Sequence, residues 1–237
     1  MSKDKKFWSI RNASDMSAEI LFYGYIADEA SWFGDDITPK QFANDIKKLG
    51  SVSNIKIRIN SPGGDLFAAN VIYNILKNHS ASITTYIDGL AASAASIVAM
   101  AGDKVIMPKN AMMMIHNPMT RVAGNSTDLR EVADVLDKAR ETMLATYVAK
   151  TGQPEDVIKN LLHAETWMTA ADALGLGFAD EVDEQMKIAA CIKDRMLVVN
   201  DLAFSIDQFK TIPSEVATIE DVIDLKVEHP KEESCLK

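Results

Sequence analysis

Two hydrophobic periods take turns along this chain, and each change of period marks a new element. From Ser17 to Ile26 the apolar run AEILFYGYI reads as a strand, and TPKQFANDIKKLG follows with Phe42, Ile46 and Leu49 at helical spacing. Pro39 stands near the first turn of that helix and Gly50 at its stop, which completes a β then α unit. IKIRIN then alternates Ile55, Ile57 and Ile59 against Lys56 and Arg58, breaks at SPGGD, and gives way to LFAANVIYNILKNH, apolar at 67, 71, 72, 75 and 76. A third unit repeats the theme. The β-branched and aromatic SITTYI at 82–87 runs through Asp88 and Gly89 into an Ala-rich helix that contains Ser93.

Further on, KVIM and MMMI predict two short strands around Pro108, and DLREVADVLDKARETMLATYVAKTG predicts one long helix ending at Thr151 and Gly152. Shorter helices are expected near 154–162 and 170–175, before a last strand at FADEV. Strands alternating with helices over short connections imply an α/β fold with a largely parallel sheet and right-handed crossovers. We divide the chain into an N-terminal arm at 1–16, one α/β domain at 17–185 and a C-terminal extension at 186–237. That extension is acidic, proline-bearing and poor in periodic apolar positions, so it is expected to be partly mobile or partner-dependent.

Composition narrows the function classes. With 237 residues, 47% apolar and 25% charged, the chain can bury a sizeable core. A net charge of −9 with no basic patch disfavours nucleic acid as a partner. The start MSKDKKFWSI has no apolar run like that of a secretory signal, and the most apolar window, Leu90 to Ala101, is short and flanked by Asp88 and Asp103. No membrane association is expected. Cys191 and Cys235 lack metal-ligand spacing and suggest free thiols in a reducing compartment, hence the cytoplasm.

Three features carry candidate chemistry. Ser93 stands where a strand passes through a Gly-bearing turn into a helix, a place that suits a nucleophile, although a serine among alanines is more often a packing or capping residue. His116 closes MMMI just before Asn117 and Pro118, at a strand end where sites in parallel sheets collect. NSPGGD, with Gly63 and Gly64, frees backbone N–H groups that can face an oxygen gaining negative charge. Phosphate cradling would need the lysine of a P-loop, which this turn lacks. His79 and His163 lie in polar helical contexts and are left as surface residues. An acid to orient His116 could be Glu165 in HAETWMTA or Asp172 after it; Thr169 and Asp172 form a capping-box pair, which already accounts for Asp172.

Taken together and in this order, INSPGGD, GLAAS, MIHNP and ETWMTAADALGLGFADEV resemble the ClpP serine peptidase family over about residues 18–185. Gly64 precedes Ser93 by 29 positions and Ser93 precedes His116 by 23. The resemblance implies a ClpP/crotonase-like spiral of β-β-α units with a long handle helix, needing neither metal nor cofactor. It implies Ser93 as nucleophile, His116 as general base, and the N–H groups of Gly64 and Ala94 as an oxyanion hole. Gly63 and the loop residues Met119, Thr120, Arg121 and Val122 would bind an extended peptide as an added strand. The family has an aspartate where Glu165 stands here, one methylene longer.

The same resemblance implies a homo-oligomer, a ring in the family, with a protein as substrate. The first 16 residues do not look like the axial loops that engage an unfolding ATPase, and the tail has no counterpart in housekeeping ClpP. That end pattern looks more like the ClpP-like prohead proteases of tailed phages, which implies trimming of a capsid or scaffold precursor during head maturation. The alternatives are an ATP-dependent Clp proteolytic subunit working with an AAA+ unfoldase, a crotonase-type acyl-CoA enzyme, and a shell protein whose triad has decayed.

Overall fold

The computed structural model describes residues 10–14, 16–27, 38–184, 190–193, 196–199 and 202–205. The chain divides into two compact units, Met1–Ala189 and Ala190–Lys237. In the first, strands β1 (Ile10–Ser14), β2 (Ser17–Tyr23), β3 (Asn54–Ser61), β4 (Ser82–Ala92), β5 (Lys104–Pro108) and β8 (Glu181–Asp183) lie side by side in that order. All neighbours from β2 to β8 are parallel, and β1 folds back antiparallel on β2. The arm assigned to 1–16 therefore ends in a sheet strand; its first nine residues lie outside the described part.

The crossovers are helical: α1 (Pro39–Lys48), α2 (Leu66–Lys77) and α3 (Ala94–Ala99). In α1 the Thr38 side chain accepts from the N–H of Gln41, Pro39 opens the first turn, and Phe42 and Ile46 are buried. In α2 Asp65 caps the N–H of Ala68, and Ala68, Ala69, Ile72 and Leu76 are buried. The core beneath these helices is made by alternate residues of the strands: Ile20 and Phe22, then Ile55, Ile57 and Ile59, then Ile83 and Ile87. The other sheet face is wetter, but it holds one buried charge. Asp88 accepts from Arg58 Nε at 2.7 Å, Arg58 Nη2 at 2.6 Å and the Tyr23 hydroxyl at 2.6 Å. Burial pushes the Asp88 carboxyl up, and those donors pull it part of the way back.

The site is positioned by a fork in β4. The first half of β4 pairs with β5, Thr84 opposite Lys104 and Tyr86 opposite Ile106. Its second half pairs in parallel with β6 (Met112–Ile115), Leu90 opposite Met112 and Ala92 opposite Met114. β7 (Thr166–Thr169) then runs antiparallel to β6. Three further helices flank these strands: α4 (Ser126–Thr151), α5 (Glu155–Ala164) and α6 (Ala170–Leu176). Only the second half of the 26-residue α4 is packed, through Ala139, Met143, Leu144, Thr146 and Tyr147. Its first half carries Leu129 and Val135 about half exposed, at 45% and 55%.

Strand β7 was absent from the reading of the sequence, as were three strands of the second unit. There β9 (Ala190–Lys193), β10 (Met196–Val199) and β11 (Leu202–Ser205) form an antiparallel meander. Lys193 pairs with Met196 and Val199 with Leu202, so two residues join each pair of strands. The signal was weak, since Asn-Asp between MLVV and LAFS is turn-forming but lacks the glycine that marks a two-residue hairpin. The acidic stretch after Ser205, for which the sequence predicts a partly mobile tail, lies outside the described residues.

Candidate active site

Two strand registers, β4 with β6 and β6 with β7, each extended by a residue or two, bring Ser93, His116 and Glu165 together. β4 ends at Ala92, opposite Met114 of β6, and the N–H of Ser93 donates to the Met114 carbonyl at 2.8 Å. Two residues after Met114 comes His116. On the antiparallel side Ile115 faces Thr166, so continuing that register sets His116 opposite Glu165. Ser93 Oγ lies 2.7 Å from His116 Nε2, and His116 Nδ1 lies 3.8 Å from Glu165 Oε2. His116 and Glu165 are 9% and 6% exposed, which keeps water from screening the pair, while Ser93 is half-buried.

The backbone at two of these positions is unusual. Ser93 has φ 53° and ψ −127°, and Glu165 has φ 52° in the left-handed region as the C-cap of α5. A non-glycine residue in such a region costs about 1–3 kcal/mol and is held by its surroundings. For Ser93 the result is a sharp strand-to-helix elbow that lifts the hydroxyl out of the sheet toward His116. Its side chain makes no capping bond to α3, so the hydroxyl is not engaged as a cap.

The glycine turn packs against this elbow. The Ile26 N–H donates to the Gly63 carbonyl at 2.9 Å, and the Asp65 N–H donates to the Ile26 carbonyl at 2.8 Å. Gly64, between them, therefore turns its own N–H to the opposite edge, as alternate residues of a parallel pair do. The turn itself abuts the serine: a Cβ on Gly63 would lie 2.8 Å from Ser93 Cβ and 2.9 Å from the Ala94 nitrogen. A Cβ on Gly64 would stand 2.0 Å from the Ile26 carbonyl oxygen, so no side chain fits there. Ser61 anchors the turn, its hydroxyl donating to Gly24 O at 2.6 Å and accepting from Gly63 N at 3.1 Å.

Residues 117–125 form no strand; Met119, Thr120, Arg121 and Val122 are all exposed beyond His116. Asp172 is occupied in a capping box with Thr169 on α6. His163 is exposed, whereas His79 is half-buried and its Nδ1 accepts from the Ala81 N–H, so it serves a turn rather than a free surface. Reading the sequence missed Ser96 and Tyr147, which touch the elbow from behind. The signal was a second serine in the alanine run, three positions after the first.

The chain also resembles known proteins over most of its described length. The family model described as Clp protease matches residues 36–186. The ATP-dependent Clp protease proteolytic subunit 1 of Chlamydia caviae is 32% identical over 162 residues, covering 64% of this chain and 84% of that protein. The protein of the same name from Rhodococcus jostii is 33% identical over 174 residues, 72% of this chain and 77% of the relative. A solved structure of a ClpP1 mutant from Listeria monocytogenes superposes with a TM-score of 0.60 at 25% identity, covering 70% of this chain and 91% of that one.

Proposed function

Because this chain belongs to the Clp protease family and is a serine-type endopeptidase, we propose that Ser93 is its nucleophile, His116 the general base and Glu165 the acid that orients and charge-stabilises the imidazole. The observation that carries this assignment is the 2.7 Å contact between Ser93 Oγ and His116 Nε2. His116 takes the serine proton as Oγ attacks a peptide carbonyl, and the carbonyl oxygen gains negative charge. The N–H groups of Gly64 and Ala94 receive that charge. The imidazolium then gives its proton to the leaving amine, the peptide bond breaks, and an acyl group stays on Ser93. Water, deprotonated by His116, attacks the ester and releases the second product. The exposed strip Met119–Val122 pairs with the substrate backbone as an added strand.

We take the chain first as a Clp-type proteolytic subunit, cytoplasmic, assembled into a ring and served by an AAA+ unfoldase. The half-exposed Leu129 and Val135 on the unpacked half of α4 support assembly, since a long helix packed along half its length leaves apolar surface for other copies. None of the relatives above is a phage protein, so head maturation ranks second here, reversing the order suggested by the chain ends. What favours it is the separate compact unit Ala190–Lys237, which lies beyond the family match. Casein hydrolysis separates the two. Stimulation by an AAA+ unfoldase with ATP, lost in Ser93→Ala, supports the first reading; cleavage of a co-expressed capsid precursor without any ATPase supports the second.

A further inference from the structure

Behind the elbow runs a buried chain of hydroxyls that no step above uses. The Ser93 carbonyl accepts from the Ser96 N–H at 3.0 Å and from the Ser96 hydroxyl at 2.6 Å. Ser96 Oγ lies 2.8 Å from the Tyr147 hydroxyl. The Ser96 proton is already committed to the Ser93 carbonyl, so Tyr147 must be the donor in that contact. Both residues are fully buried, and the Tyr147 ring is wedged against Phe178 at a centroid distance of 5.5 Å. Burial raises the pKa of Tyr147 well above that of a free phenol, which keeps it a donor throughout the working pH range.

The carbonyl of Ser93 and the N–H of Ala94 belong to one planar peptide and point in opposite directions. Whatever holds the carbonyl therefore aims the N–H. We propose that Ser96 and Tyr147 are positioning residues that fix the Ser93–Ala94 peptide plane, and so direct the Ala94 N–H at the substrate oxyanion. A plain helix-to-helix tie would need only a bond between α3 and α4. These hydroxyls end instead on a carbonyl whose rotation would misdirect the Ala94 donor, at a residue whose φ of 53° needs external support.

This inference rests on the proposed roles of Ser93 and Ala94, and the test keeps the two apart. Ser96→Ala and Tyr147→Phe each remove one oxygen and add no atom, so both should fold, as thermal melting will verify. With a fluorogenic peptide, Ser96→Ala should lower kcat about tenfold with KM within about twofold, a part of the ~10²-fold or more lost when an oxyanion donor is removed outright. Tyr147→Phe should lower kcat by a smaller factor. The double variant should be no slower than Ser96→Ala, because Tyr147 acts only through Ser96. In the fluorophosphonate adduct of Ser93, the ³¹P resonance should move in Ser96→Ala, reporting an altered hydrogen bond at the phosphonyl oxygen. A folded Ser96→Ala protein with wild-type kcat and an unmoved ³¹P signal overturns the brace alone. Wild-type protein that forms no adduct overturns the underlying reading and the brace with it.

Discussion

Replacing Glu165 by Gln tests the third member of the triad with almost no change of shape. In the structure Glu165 Oε2 stands 3.8 Å from His116 Nδ1, and both side chains are nearly buried, at 5% and 11% exposure. When His116 takes the serine proton it becomes a cation facing that carboxylate. At an effective dielectric near 20, two unit charges at this separation attract by about 4 kcal/mol, and in bulk water by about 1 kcal/mol. Buried as it is, the pair belongs nearer the first figure. At 1.36 kcal/mol per decade, the expected loss in kcat/KM for Glu165→Gln is about 10²- to 10³-fold. Glu165→Asp keeps the charge but withdraws it by one C–C bond, about 1.5 Å, and should fall between wild type and Glu165→Gln. Peptide hydrolysis under kcat/KM conditions, with melting curves for each variant, reads this directly. Wild-type activity in a folded Glu165→Gln protein would falsify the assignment and turn attention to the other groups around His116.

Other perturbations probe the backbone that carries the site. Gly64→Ala puts a Cβ 2.0 Å from the Ile26 carbonyl oxygen, so it should destabilise by about 3 kcal/mol in chemical unfolding and cut kcat by about 10²-fold; Gly50→Ala, at φ 66° with nothing within 4 Å, should cost only about 1 kcal/mol and no activity. Ser93→Gly and Ser93→Ala should both be inactive, but the glycine variant should be the more stable by about 1 kcal/mol, because only glycine relaxes at φ 53°. Tyr23 and Tyr147 titrate higher in the fold than their ordinary value of 10.0, both chiefly through burial. Above pH 10 the unfolded chain releases protons that the native state retains, so stability should fall as pH rises from there, and urea titrations of Tyr147→Phe should show a shallower decline.

Much of this site was legible in the sequence because its parts sit at changes of hydrophobic period. Ser93 and His116 each follow a strand whose apolar run is plain, SITTYIDGLAA and MMMI, and the glycines of SPGGD interrupt a third. What escaped were features set by pairing rather than by composition. TWMT is too short and mixed to announce a strand, yet its antiparallel pairing with β6 is what sets Glu165 opposite His116. The fork in β4 was hidden for a similar reason, since one strand of eleven residues changes partner halfway along. The role of Ser96 was invisible because a serine in an alanine run looks like packing until Tyr147, 51 residues later, is seen beside it. In the second unit the strands are only four residues long, and the charged residues around them masked a hairpin pattern.

The whole mechanism turns on Ser93 attacking with His116 as its base. Intact-mass analysis after fluorophosphonate treatment of wild type, Ser93→Ala and His116→Ala tests it most directly. Wild type should carry one adduct per chain, mapped to Ser93, and Ser93→Ala none, while labelling should slow by about 10³-fold or more in His116→Ala. An adduct that survives Ser93→Ala, or a His116→Ala protein that labels as fast as wild type, would contradict it.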